Sequence, residues 1–160
     1  MIIGHLPSTY LAFRFLTPKS WPRSFVLGGV IGGVVPDIDM LWFFTIGAQQ
    51  VHHHNYLTHR PALWVGLLIA ALLFGWSRGR MPALVIGLAL GAVLHVVLDS
   101  VAGNIAWAWP LSDHAHPLVV VEATHSHWIL SFINHPYFQV EIAVTLIAIA
   151  VYLWDRRKTR

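Results

Sequence analysis

Five apolar runs, separated by short polar stretches, set the pattern of this chain. They cover about residues 2–16, 25–46, 62–76, 82–101 and 140–154. A helix that crosses a membrane needs about 17–25 apolar residues, so the second and fourth runs are long enough, whereas the first is short. The pattern predicts an all-α integral membrane helical bundle of about five segments in a single domain, residues 1–160, with the His- and Trp-rich stretch 103–137 as an outer loop.

Composition supports a membrane location. Hydrophobic residues make up 56% of the chain and charged residues only 11%, against about 25% in soluble domains. Cysteine is absent, which excludes disulfides, thiol nucleophiles and cysteine-based zinc sites. The net charge of +3 arises from cations in short loops beside the apolar runs, and this pattern indicates membrane orientation rather than binding to nucleic acid.

The distribution of the ten Lys and Arg residues predicts the topology. With five segments, nine of the ten fall on one side of the membrane and Arg60 falls on the other. The positive-inside rule makes the cation-rich side cytoplasmic, so the C-terminus is predicted to be cytoplasmic. All eleven histidines then lie on the outer side, or in the half of the bundle nearest to it. We therefore expect a multi-pass protein of a bacterial-type cytoplasmic (inner) membrane.

Asp37 and Asp39 are acids inside the second apolar run. Counting 1.5 Å per residue from Phe25, Asp37 lies roughly 18 Å into a hydrocarbon core about 30 Å thick. An unpaired carboxylate at this depth costs at least about 2.5–3.5 kcal/mol, so intramembrane acids are functional by default. Pro36 disturbs the preceding turn, which would let both acids face inward. The alternative is a carboxylate satisfied by water or by a neighbouring Arg.

His95 and Asp99 supply a second polar pair, in the fourth run. They are four residues apart, which places them on one helix face about one turn from each other. Their depth is close to that of Asp37 and Asp39. The alternative is an aspartate that merely orients a core histidine, but two intramembrane acidic sites at one depth favour a shared function.

The polar stretch 51–60 contains four of the eleven histidines. His54 and His59 are five residues apart, which fits a loop that leads into a helix better than one straight helix. Thr58 is predicted to be the N-cap of the third segment, which puts His59 at the outer end of that helix. His52 and His53 could also be ligands, but the favoured interpretation is structural, because consecutive histidines point in different directions.

Together with His5, these groups predict a metal site in the outer half of the bundle. The candidate ligands are His5, Asp37, Asp39, His54, His59, His95 and Asp99, and Asp39 and His59 are also the candidate catalytic residues. Imidazole and carboxylate ligands suit zinc, with manganese or iron as alternatives, better than calcium. Seven ligands exceed the four of a closed single site, so one or, better, two ions are expected.

A second group of polar residues lies in the outer loop. It comprises His114, His116, Glu122, His125, His127 and His135, with Trp107, Trp109 and Trp128 nearby. One interpretation is an aromatic belt at the membrane interface with polar partners. The other is a lid, in which residues such as His125 and His127 contact the substrate or donate a proton.

Several short motifs in this order resemble those of one family. They are Gly4-His5, Pro36-Asp37-Ile38-Asp39, the His-x-x-x-Thr-His element that ends at His59, Leu94-His95-x-x-x-Asp99, and Ala106-Trp-Ala-Trp-Pro-Leu-Ser112. The chain resembles the membrane-bound metal-dependent hydrolases, also described as LexA-regulated inner-membrane hydrolases, with a more distant likeness to helical zinc phosphoesterases. Asn55 stands where that family usually has Arg, and Arg60 stands where it usually has Ser. The resemblance implies a metal-dependent hydrolase, with Arg60 as a substitute phosphate contact.

The sequence thus favours a metal-dependent hydrolase of the phosphoesterase type over two rivals. Because the site lies at lipid depth, the expected substrate is a phosphoester of a lipid or of a lipid-linked carrier, cleaved by a metal-activated water. One rival is a non-catalytic metal-binding protein of transport or sensing, but the cytoplasmic half of the runs offers few polar groups for an ion path. The other is a scaffold whose acids and histidines only bond to one another.

Overall fold

A computed structural model of the chain describes residues 3–47, 52–74, 79–122 and 124–158. The helices are α1 (His5–Leu16), α2 (Arg23–Gly32), α3 (Asp39–Thr45), α4 (Pro61–Phe74), α5 (Arg80–Asp99), α6 (Trp128–Ile133) and α7 (Pro136–Lys158), with 3₁₀ turns at Val35–Ile38, His53–Asn55 and Leu57–His59. Within these ranges the only β-type pairing is an isolated bridge between Ile105 and His116. The predicted all-α fold is confirmed.

Among the described residues, two or three helical segments are long and apolar enough to cross a membrane, compared with the five predicted segments. By length and apolar composition, α5 and α7 qualify, and α2 joined to the segment Val35–Thr45 makes a third, bent candidate. With 12 and 14 residues, α1 and α4 are only about 18 and 21 Å long, less than the hydrocarbon core. Two predicted segments also end at residues 2 and 75–76, which lie outside the described ranges.

The contact between α2 and α5 forms the centre of the bundle, and glycines make it possible. A Cβ on Gly28 would lie 2.1 Å from the carbonyl oxygen of Leu84, and a Cβ on Gly32 would lie 2.0 Å from that of Leu88. From the other side, a Cβ on Gly91 would lie 2.1 Å from a carbonyl oxygen of α2. The two helices therefore touch backbone to backbone, as small residues permit in membranes.

The second apolar run is bent by 46° where α2 ends. Pro36 has no N–H group to continue the helix, and its ring clashes with the carbonyl four residues earlier. The N–H of Asp37 bonds to Val34 at 3.1 Å rather than to Gly33, as a regular helix would require. The carbonyl of Gly33 is thereby released from the helical ladder and becomes available to a side chain.

Helix α7 packs mainly on α1, outside the α2–α5 centre. The two helices run parallel and are joined by polar contacts near both ends. Arg14 Nη2 donates to Asp155 Oδ1 at 2.9 Å, and Glu141 contacts the chain just before α1. Large apolar side chains of α7, such as Leu146 and Ile147, are more than half exposed. An exposed apolar surface of this kind suits lipid contact.

Candidate metal centre

The structure brings the seven predicted ligands together with an eighth residue, His53. We call this group the His–Asp cluster: His5, Asp37, Asp39, His53, His54, His59, His95 and Asp99. Six members are buried, whereas Asp37 and His53 are partly exposed. The members come from the start of α1, the bend after α2, the loop before α4 and the end of α5. The α2–α5 contact and the helix bend thus bring distant parts of the sequence to one place.

Asp99 lies at the centre of the cluster. Its Oδ1 is 3.0 Å from the Nε2 of His5. Its Oδ2 is 3.1 Å from the Nε2 of His95, 3.4 Å from that of His59 and 3.6 Å from that of His54. The rings of His5 and His95 are stacked, with centroids 3.8 Å apart. Four imidazole nitrogens therefore surround one buried carboxylate.

His59 and His95 are each held by the ring nitrogen that faces away from the centre. His59 Nδ1 lies 2.6 Å from Asp39 Oδ2, and His95 Nδ1 lies 2.9 Å from the carbonyl oxygen of Gly33, which the helix bend has released. Such contacts fix the tautomer and orientation of histidines that bind metals through their other nitrogen. Both Nε2 atoms consequently point to the centre of the cluster.

The loop before α4 is anchored from both sides. Thr58 does not act as an N-cap, contrary to the prediction, because α4 begins only at Pro61. Its hydroxyl donates instead to Asp39 Oδ2 at 2.6 Å, and its carbonyl accepts from the indole of Trp64 at 2.7 Å. Gly103 leaves the space that His54 occupies, since a Cβ there would lie 2.3 Å from His54 Cε1.

His53 is a candidate ligand that the sequence analysis set aside. Its Nδ1 lies 3.8 Å from Asp39 Oδ1, and it shares a potential ligand group with Asp39 and His59. The two consecutive histidines do not diverge, because the 3₁₀ turn His53–Asn55 brings both His53 and His54 close to His59. His52 turns back locally, and its Nδ1 accepts from the N–H of His54.

The loop histidines carry strongly shifted pKa values. Burial lowers the pKa of His54 to about 2, so this imidazole is neutral. Burial also acts to lower the pKa of His59, but its interactions with Asp39 and Asp99 outweigh burial and raise the pKa to about 9. The described ion pairs of the cluster carboxylates are all with histidines. A bound cation would take over the charge compensation from the proton on His59.

The donor atoms of the cluster fit a transition-metal ion. Ligand atoms lie within 4.8 Å of one another in four sets: Asp37–His59–His95, His54–His59–Asp99, His5–His95–Asp99 and Asp39–His53–His59. An ion bound at about 2.0–2.2 Å from each ligand fits between atoms at such separations. The Nε2 atoms of His59 and His95 are buried and face Asp99 Oδ2 without the geometry of a hydrogen bond, and the Oδ1 of Asp39 is buried without a hydrogen-bond partner. A bound ion would satisfy buried polar atoms of this kind.

The three predicted substrate-binding residues lie in other surroundings. Arg60 Nη2 donates to the carbonyl of Asn55 at 3.1 Å, while its Nη1 is buried without a hydrogen-bond partner. His125 and His127 are exposed and belong to none of the potential ligand groups in the described part of the chain. His127 accepts from the N–H of Ile129 and so caps α6.

Glu141, for which no role was predicted from the sequence, is fully buried near the cluster, as Asp99 is within it. Its Oε2 accepts from the backbone N–H groups of Ile3 at 2.8 Å and Gly4 at 3.0 Å. These residues immediately precede His5, whose Nε2 faces Asp99. Glu141 thus positions the first ligand from α7, and a lone acid near the start of an apolar run was the signal that could have found it.

Replacing Glu141 with alanine is expected to weaken metal binding by about 10–100-fold, the usual effect of removing a group that orients a ligand. The Gln variant keeps an acceptor oxygen and should lose less affinity. Competition of the purified protein with a chromogenic zinc chelator measures the affinity. Gln139→Ala, an exposed position on the same helix, is the matched control. An unchanged affinity in Glu141→Ala would show that His5 needs no such support.

Comparisons with known proteins identify the family and nothing finer. No curated protein and no solved structure matches the chain. A family model described as YdjM inner membrane protein matches residues 1–159. This description agrees with the predicted membrane location, and it gives no reaction, metal or substrate. Since the match covers almost the whole sequence, the chain belongs to the YdjM inner membrane protein family.

Proposed function

We propose that this chain is a membrane-bound metal-dependent hydrolase that cleaves a phosphoester of a lipid or lipid-linked substrate. The observation that carries the proposal is the pair His59 and His95. Both imidazoles are oriented from behind by their Nδ1 atoms, and both direct Nε2 at the buried Asp99 carboxylate without forming a hydrogen bond of regular geometry. A scaffold of hydrogen bonds would align these atoms with the carboxylate, whereas a metal site keeps them for the ion.

Zinc is the proposed metal, with manganese or iron as alternatives, because the donors are imidazoles and carboxylates. Eight donors in overlapping sets favour two ions over one. A divalent metal lowers the pKa of a bound water towards neutrality and stabilises negative charge on a phosphoryl oxygen. In the proposed site, Asp99, His59 and His95 would be among the ligands of these ions, while Asp39 would orient His59.

Arg60 is the proposed contact for the phosphate group. It directly follows His59, and its buried Nη1 has no hydrogen-bond partner. A guanidinium group pairs well with phosphate oxygens because it presents several donors in one plane. The lid role of His125 and His127 is kept only as a secondary proposal, since their exposed positions give it little support.

The proposed topology puts the cluster in the outer half of an inner membrane and the C-terminus in the cytoplasm. His5 begins α1 and Asp99 ends α5, so the cluster lies at one end of these helices. Arg14, Arg23 and Arg80 lie at the opposite helix ends. A separation of cations from the cluster agrees with the positive-inside rule. Cations and cluster at opposite helix ends also favour five crossings of the membrane, of which α1 and α4 are short.

Metal content and hydrolysis test the proposal together. The protein, purified in detergent without chelators, is expected to hold about one or two equivalents of zinc, manganese or iron per chain and to release phosphate from phosphatidic acid or a lipid-linked diphosphate. Chelation should abolish this activity, and added metal should restore it. His59→Ala should lose both metal and activity, whereas His114→Ala, an exposed loop histidine, should lose neither.

The same measurements separate the rival functions. Bound metal without hydrolysis of any phosphoester tested would contradict the hydrolase and favour metal transport or sensing. A chain that holds no metal, and takes up none when it is supplied, would reduce the cluster to a buried polar network.

A further inference from the structure

An apolar groove on the bundle surface leads to the His–Asp cluster. Its volume is about 570 Å³, within the range of roughly 300–1,000 Å³ for small-molecule sites. Its walls come from the start of α1, the end of α2, the bend and α3, and they include Leu6, Val30, Val34, Ile38 and Leu41. Among the described residues, every side chain that lines it is apolar except that of Asp37.

Asp37 belongs to both the groove and the cluster. Its Oδ1 lies 3.6 Å from the Nε2 of His95 and 3.7 Å from that of His59. The side chain of Asp37 is 37% exposed, whereas those of His59 and Asp99 are 0% and 2% exposed. Asp37 therefore connects the buried ligands His59 and His95 to the surface groove.

We infer that this groove binds the hydrocarbon chain of a phosphorylated lipid and that the headgroup lies at the Asp37 end. The inference rests on the proposed function and names the route of its substrate. The groove lies along the bent span, where bilayer lipid is the surrounding solvent, so a lipid reaches it sideways without leaving the membrane. A transmembrane helix, about 10–12 Å wide with its side chains, is too large for this volume.

The polarity of the groove matches an amphiphile of this class. A hydrocarbon chain finds only apolar walls, and burial of each methylene group contributes roughly 0.8 kcal/mol relative to water. A headgroup beside the lone carboxylate of Asp37 requires a cation between the two negative groups, which the cluster is built to hold. A lipid with a terminal phosphate satisfies both ends of the groove at once.

The absence of cysteine makes a direct test practical. Single variants Leu41→Cys, at the groove, and Leu146→Cys, on the outer surface of α7, carry an environment-sensitive fluorophore. Both leucines are apolar and similarly exposed, at 68% and 62%. The zinc-loaded protein in phosphatidylcholine nanodiscs is titrated with a non-hydrolysable phosphonate analogue of phosphatidic acid that bears a nitroxide on its acyl chain. Quenching at position 41 should saturate and be several-fold stronger than quenching at position 146.

Further outcomes decide between specific binding and ordinary lipid contact. The unlabelled phosphonate analogue should reverse the quenching at position 41, and Val34→Trp, which fills the groove, should abolish its saturable part. Equal, unsaturable quenching at both positions would overturn the inference, as would equal saturation by nitroxide-labelled phosphatidylcholine. Saturable quenching without hydrolysis would contradict the hydrolase alone, and hydrolysis without saturable quenching would contradict the groove alone.

Discussion

Replacement of Asp99 by asparagine is expected to lower the affinity for zinc by at least about 100-fold, at the upper limit of the effect of losing an orienting group. The reason is that the Asp99 carboxylate faces the Nε2 atoms of four histidines, so a single substitution removes negative charge from two of the four ligand sets. Asparagine has nearly the same size, so steric effects are small. Zinc content by elemental analysis and zinc affinity by chelator competition measure the loss.

The same chemical change at an exposed site is the control for Asp99→Asn. Asp113 is 83% exposed and lies 3.8 Å from Arg60, outside the cluster. Asp113→Asn should retain the native metal content. Equal metal content in the native protein and in Asp99→Asn would refute a site centred on Asp99. The helical circular dichroism of both variants should match that of the native protein.

Replacement of Gly32 by valine is expected to destabilise the bundle by about 3 kcal/mol, the upper part of the usual range for overpacking. The new Cβ would lie 2.0 Å from the carbonyl oxygen of Leu88, and a backbone atom cannot rotate aside as a side chain can. The two central helices must separate to accommodate it. Because Gly33 and Asp37 follow directly, metal affinity should fall as well. Thermal unfolding in detergent measures the stability.

Gly66 provides the matched control for this steric prediction. It lies on α4, and a Cβ at this position would meet no atom within 4 Å. Gly66→Val should therefore leave the unfolding temperature and the metal content close to native values. A Gly32 variant as stable as Gly66→Val would mean that α2 and α5 do not touch as closely as described.

The sequence predicts the parts of the site that depend on helix periodicity and depth. The four-residue spacing of His95 and Asp99 is sufficient to place them on one helix face. In the structure, His95 Nε2 lies 3.1 Å from Asp99 Oδ2. The inward turn of both Asp37 and Asp39 follows from Pro36, which prevents a regular helix. These effects are local, so they can be derived from the residues without knowledge of the packing.

The remaining features depend on contacts between distant segments. Nothing near Gly33 in the sequence indicates that its carbonyl would accept from His95, because that bond needs both the bend and the α2–α5 contact. Gly103 makes room for His54, and Glu141 holds the residues before His5, through packing of the same long-range kind. The number of spans also depends on packing, because α1 and α4 are too short to qualify by length and composition alone, and the described residues give two or three candidate spans.

The contact between His5 and Asp99 also constrains the order of events during synthesis. The first helix leaves the ribosome long before α5, and the partner of His5 does not exist until the whole of α5 has been made. The first helix can already pack on α2, through Phe13 and Phe25, but His5 remains without Asp99 until α5 has joined them. Its second anchor, Glu141, arrives later still, with the last helix. The His5–Asp99 contact thus forms late in the assembly of the nascent chain, and its support by Glu141 comes last.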